Sequence, residues 1–313
     1  MTLAPFVRII ARGKGRARAL SQLEAQEAMT LILSGTAEPE AIGALLMVLR
    51  LRGEADTEIA GFTAALRASC AGLAVADLDW PCYAAGRTRG APFFALAAKL
   101  VAQAGYSVAL HGWNSHQSGA ADLRATLQKL QLEGDGLSYY PLEELSTAAF
   151  DLLKLRDTFG LRSCINTVLR MWNPTAAQAS VQGVFHPSYR GLQSRAGALL
   201  GDQNLTVIKG GGGEFERQPA KETAVFGLRS GQELNEAAPA MLNETRRLHD
   251  TDHAFDIGSI WTGAREDPFA TATITGTAAL ALWTLKAAPT LEEATTLATE
   301  LWHHRQPQSR RTG

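Results

Sequence analysis

The residues best suited to chemistry in this chain are cations set among glycines. Lys209 is followed by four glycines, then Glu214, Phe215, Glu216 and Arg217, with Lys221 close behind. Glycine lets backbone amides approach an anion closely and adopt positive φ, and the flanking cations add charge, so the stretch suits a phosphodiester. A mobile loop is the other reading of the same residues. Upstream, Arg87 and Arg89 follow Gly86 in a loop where guanidiniums point outward to meet phosphates. Ser118 opens a helical stretch, and amides at a helix N-terminus favour anions. Cys82 lies close to Arg87 and Arg89, and neighbouring cations favour a thiolate, so a redox role is one expectation for it. His249 and His253 stand at i, i+4, a spacing that pairs imidazoles on a helix face, but a metal site needs further ligands.

Charge is unevenly spread along the 313 residues, although the net value is only −1. Residues 1–20 carry five bases and no acid, and residues 154–221 hold nine bases against four acids. Such segregation can build a basic face on a neutral protein, or can reflect no more than solvated charges. Hydrophobic residues make up 46% and charged residues 19%, ordinary for a globular protein large enough to split into two domains. Cys70, Cys82 and Cys164 are odd in number and scattered, which argues against a disulfide framework and for a reducing cytoplasm. No apolar run reaches membrane-spanning length, and the basic residues near the start follow the apolar ones, the wrong order for a signal peptide.

The elements that must position these residues fall into two patterns. Ser21 and Glu24 form a capping box before a helix that Gly35 stops. Pro39 starts a second helix with an apolar stripe of Ile42, Leu45, Leu46 and Leu49, and Asp56 or Thr57 caps a third that runs to about Cys70. After residues 77–81 the pattern changes to helix (93–104), strand (107–110), loop and helix (120 to about 132). Further strands are expected at 181–186, 205–209 and 224–228, and helices at 269–286 and 291–303. This alternation marks an α/β domain with a largely parallel sheet.

Residues 41–70, AIGALLMVLRLRGEADTEIAGFTAALRASC, resemble the N-terminal helical domain of the anthranilate phosphoribosyltransferase family, the third glycosyltransferase family. The resemblance implies a phosphoribosyltransferase or nucleoside-phosphorylase type of architecture: a helical bundle (1–76, with 142–170 packing back on it) that dimerises, joined to an α/β domain (77–141 and 171–313). It continues at degraded motifs. The pyrophosphate loop corresponds to 83–90, where Gly86 survives and Arg87 and Arg89 arrive. His111, Asn114, Ser115 and Ser118 match the next phosphate-binding loop. Arg156 matches the arginine that faces the aromatic acid, Arg162 and Asn166 match structural positions, and Arg170 stands where the family keeps a glycine. Of the two adjacent carboxylates that hold magnesium, Phe215 replaces one and Glu216 remains.

Two functions follow from the resemblance. Loss of the catalytic elements points to the divergent, YbiB-like branch: a cytoplasmic homodimer that binds DNA or RNA without marked sequence preference and needs no cofactor. Arg87, Arg89, Arg156, Arg162, Arg170, Lys209, Arg217 and Lys221 are then the phosphate contacts, with Tyr83 or Trp113 stacking on a base. The alternative is an active transferase using phosphoribosyl pyrophosphate and magnesium. It relies on Gly86, His111, Asn114, Ser115, Ser118 and Arg156, with Glu216 on the metal.

Overall fold

The structure, a computed structural model, describes residues 2–13, 15–70, 72–83, 90–113, 122–243, 246 and 256–305. The chain begins with α1 (Ala4–Ala11), α2 (Gln22–Leu33), α3 (Pro39–Arg52) and α4 (Asp56–Ala68). It continues with β1 (Leu78–Cys82), α5 (Phe93–Gln103), β2 (Val108–Gly112), α6 (Leu123–Leu130), β3 (Leu137–Pro141) and α7 (Leu142–Leu145). Next come α8 (Thr147–Phe159), α9 (Ile165–Arg170), β4 (Ala179–Val184), α10 (Tyr189–Leu200) and β5 (Asn204–Lys209). The last elements are β6 (Thr223–Arg229), β7 (Gln232–Ala238), α11 (Ile257–Thr262), α12 (Pro268–Thr284) and α13 (Leu291–His303).

Local chemistry explains the helical bundle. The Ser21 hydroxyl accepts from the Glu24 amide while the Glu24 carboxylate accepts from the Ser21 amide, which satisfies two orphan donors at the start of α2. Helices α2 and α4 then cross closely: a Cβ at Gly61 would lie 2.2 Å from the Gln22 carbonyl oxygen, so only glycine fits there. One apolar cluster joins these helices to Leu142, Ala149, Leu153, Ile165 and Leu169, so the segment containing α7–α9 packs on the bundle. Arg67 binds the seam. Its Nη2 donates to the Met171 carbonyl at 2.8 Å and its Nη1 lies 2.6 Å from Asp202 Oδ1.

The α/β part is a seven-stranded sheet in the order β3-β2-β1-β4-β5-β6-β7. Its first five strands are parallel, and β6 and β7 add antiparallel. Strand order reverses between β1 and β4, and the carboxyl ends of strands at such a switch point are where open α/β sheets bind ligands. The crevice has a visible cause. Pairing of β1 with β2 runs to Cys82↔Gly112, whereas pairing of β1 with β4 stops at Asp79↔Ser180, so β1 and β4 part towards their ends. Pro81, which has no N–H to donate, lies beyond that last pair. Behind the crevice, Trp80 meets Phe215 edge-on at 5.4 Å, and α5 and α12 bury nearly all their apolar faces.

Candidate functional site

A cavity of about 540 Å³ opens between the bundle and the end of β4. Arg50 reaches it from the last turn of α3, Arg156 from α8, Arg162 from the turn that follows, and Arg170 from α9. Phe185, His186 and Tyr189 form its aromatic side: the rings of Phe185 and His186 meet edge-on at 4.9 Å. Tyr189 and Gln193 belong to the first turns of α10, whose N-terminal partial positive charge adds to that of the arginines. Among the described residues Asp157 is the one acid lining the cavity, 3.9 Å from Arg156.

These guanidiniums are poorly compensated. Arg170 is 6% exposed; its Nη1 donates to the Asn166 carbonyl at 2.8 Å, and its Nη2 has no hydrogen-bond partner among the described residues. Burial pulls the Arg170 pKa below its ordinary value, against the opposing pull of buried Glu214 and then Tyr83. Arg162 is pulled down as well, first by burial and then by Arg156, Arg170 and Arg50. An anion in the cavity relieves both penalties, because it pairs the buried cation and offsets the mutual repulsion. Tyr189 donates to Glu54 at 2.9 Å, and burial, followed by Glu54, pushes its pKa up to about 12, so it stays a neutral donor.

The expected phosphate contacts therefore divide. Arg156, Arg162 and Arg170 come together, joined by Arg50, which the sequence reading missed; two arginines ending an apolar helix before Gly53 were its only signal. Lys209 and Lys221 are exposed, at the same edge of the sheet because β6 runs back beside β5, but neither lines the cavity. Arg217 does not face solvent: it is 1% exposed and its Nη2 donates to the Pro239 carbonyl. Arg87, Arg89, Gly86, Asn114, Ser115 and Ser118 lie outside the described residues, as do His249 and His253.

The glycine run after β5 answers to packing at Gly210 and to positive φ at Gly212 and Gly213, at 62° and 90°. A Cβ on Gly210 would stand 1.7 Å from the Glu214 carbonyl oxygen, and one on Gly183 of β4 would stand 2.1 Å from the Glu214 carbonyl carbon. The loop folds back on itself against β4, which requires the missing side chains. Glu216 is fully buried and accepts from the Phe94 amide at 2.9 Å, satisfying a donor in the first turn of α5. Phe215 beside it is fully buried against Trp80. Among the described residues no group of three or more His, Cys, Asp or Glu side chains is placed to hold a metal ion. The residues present here do not fit a magnesium ion held through Glu216.

Three further expectations change. His111 is a buried residue of β2: its Nδ1 lies 2.9 Å from the Tyr83 hydroxyl, and its Nε2 lies 3.0 Å from Asp79 Oδ1, out of line for a good hydrogen bond. Tyr83 is thus committed to the interior, and Trp113 packs edge-on against Phe150 at 5.0 Å, so neither is a free stacking platform. Cys82 is buried, donates to the His111 carbonyl at 3.1 Å, and has its thiol pKa pushed well up, first by burial and then by Glu214 and Asp79. A protonated, enclosed thiol does not fit the redox expectation. No helix among the described residues is long and apolar enough to cross a membrane.

Comparison with known proteins gives this geometry a lineage. The helical bundle domain of the glycosyl transferase family matches residues 7–70. The anthranilate phosphoribosyltransferase of Bacillus caldotenax is 30% identical over 228 residues, which span 68% of this chain and 94% of that protein. That of Roseiflexus castenholzii is 31% identical over 233 residues, spanning 69% and 68%. Among solved structures, anthranilate phosphoribosyltransferase from Thermus thermophilus has a TM-score of 0.76 at 24% identity, covering 91% of this chain and 92% of that one. The Saccharomyces cerevisiae enzyme in complex with PRPP and Mg has a TM-score of 0.71 at 17% identity, covering 96% and 93%. At these identities the structural likeness shows the fold.

Proposed function

We propose that this chain, which belongs to the anthranilate phosphoribosyltransferase family, carries that family's type of function on an aromatic acid of the anthranilate kind. The observation that carries the reading is the convergence of Arg50, Arg156, Arg162 and Arg170 on one small cavity beside the switch point of the sheet. A carboxylate pairs with the buried Arg170 guanidinium, and the ring lies along Phe185, His186 and Tyr189. In the transfer, the amine nitrogen forms a bond to the anomeric carbon of phosphoribosyl pyrophosphate. The carbon–oxygen bond breaks, and diphosphate leaves with the electron pair. The nitrogen then loses a proton. No protein nucleophile is needed; fixed cations and dipoles supply the stabilisation. Glu216 accepts from the Phe94 amide and takes no part in the transfer.

One observation favours a second reading. Four guanidiniums facing a single lining carboxylate exceed the charge of one aromatic acid, and Lys209 and Lys221 stand exposed at the edge of the sheet. A nucleic-acid backbone would supply the missing negative charge. Calorimetry separates the two. Heat on adding anthranilate, with product formed once phosphoribosyl pyrophosphate is present, supports the transferase reading. Silence with anthranilate, together with oligonucleotide binding that falls steeply with salt, overturns it in favour of the second.

A further inference from the structure

We infer that the cavity takes aromatic acids bearing an apolar substituent, and that Leu161 and Phe185 are the residues that select for it. The inference rests on the aromatic-acid reading above and adds a second feature to the ligand. Leu161 is 53% exposed and Phe185 45% exposed, and both line the cavity. They approach it from different parts of the fold. Leu161 lies in the turn after α8, on the bundle side, and Phe185 directly follows β4, on the sheet side. Side chains this exposed are within a ligand's reach while the cavity is empty.

Both residues stand apart from the packing around them. In α8, Ala149, Leu152 and Leu153 are buried in the bundle's apolar cluster, and Phe150, Leu155 and Phe159 pack against it. Gly160, in the left-handed region at φ 67° and ψ 4°, ends that helix. Leu161 beyond it belongs to none of the apolar clusters among the described residues. On the sheet side, Val184 is buried with Leu205, Val207 and Leu228, and Phe185 next to it is not part of that cluster. A single exposed apolar side chain needs no explanation, but two from separate elements meeting at one charged cavity mark a binding surface.

Charge decides which end of the ligand lies where. Arg162 follows Leu161 directly, is less exposed than it, and has Arg156, Arg170 and Arg50 around it. The carboxylate goes to these guanidiniums, and a substituent on the far side of the ring is left against Leu161 and Phe185. A short aliphatic chain there takes apolar surface on both sides of the cavity out of water, whereas anthranilate itself leaves the two side chains wet.

Calorimetry with anthranilate and 4-butylanthranilate tests this, on the wild type, Leu161→Ser and Phe185→Ser, with unfolding followed on each variant. The wild type is expected to bind the butyl acid about fifteenfold tighter, the gain from four methylenes about half removed from water. Each variant loses one side of that contact and should cut the ratio to about fourfold. A substitution that merely loosens the cavity weakens both acids and leaves their ratio as it was. Equal wild-type affinities, or a ratio that both substitutions leave untouched, overturns the role of Leu161 and Phe185 and leaves the arginine site standing. Binding of neither acid overturns the aromatic-acid reading and this inference with it.

Discussion

Two stretches at the same edge of the sheet carry the same kinds of residue and do opposite things. At the end of β4 and the facing helices, guanidiniums line a cavity with little compensation, and Arg170 keeps an Nη2 unpaired among the described residues. After β5, Glu216 and Arg217 are as buried, but Glu216 accepts from the Phe94 amide and Arg217 donates to the Pro239 carbonyl. Charge type therefore does not identify a site. Nor does an unpaired buried atom, since Arg217 Nε is without a hydrogen-bond partner among the described residues as Arg170 Nη2 is; what distinguishes the two is that Arg170 lines the cavity and Arg217 does not.

That contrast can be broken from the loop side. If the glycines after β5 serve packing, Gly210→Ala should lower unfolding free energy by about 3 kcal/mol, because its Cβ meets backbone that cannot move aside. Urea unfolding measures it; an unchanged midpoint with weakened ligand binding would instead make the loop a binding element. The smaller effect belongs to a charge that is both paired and wet. Glu24, bonded by Arg18 and by the Ser21 amide, has its pKa lowered to about 2. A depressed carboxylate contributes stability above its unfolded pKa of about 4.3 and loses it as pH falls through the folded value. Arg18 is largely exposed, so the contribution is about 1 kcal/mol or less. Glu24→Gln should thus destabilise slightly at pH 7, and the gap from wild type should close between about pH 4 and 2. A gap constant over that range would show that the charge does nothing there.

Much of the fold could be read from punctuation. The Ser21 capping box, Pro39 and the apolar spacing placed α2 and α3, and short apolar runs placed β2, β4, β5 and β6 to within a few residues. Strand β1 was hidden because Pro81 reads as a breaker, and its tolerance depends on where pairing with β4 stops, a tertiary fact. Strand β7 is mostly exposed and polar, so it lacks a hydrophobic signal. Helix α10 carries two glycines; Gly197 is there because a Cβ would come 2.7 Å from Leu205 Cδ2. Of the site, the types at Arg156, Arg162 and Arg170 were legible, but their meeting with Arg50 was not, since it depends on how the bundle seats on the sheet. Arg217 misled because its neighbours in sequence are glycines and charges while its neighbours in space are Pro239 and Thr277.

The most direct test of the account is anthranilate binding to Arg170→Met set beside Arg217→Met, with unfolding followed on both. Loss of a charge-assisted contact should weaken binding to Arg170→Met by about 2 kcal/mol, and unfolding reads separately what the fold loses with the cation that offsets buried Glu214. Arg217→Met, if folded, should bind anthranilate as the wild type does. Unchanged affinity in Arg170→Met, or equal losses in the two variants, would contradict the claim that the cavity arginines are the anion site.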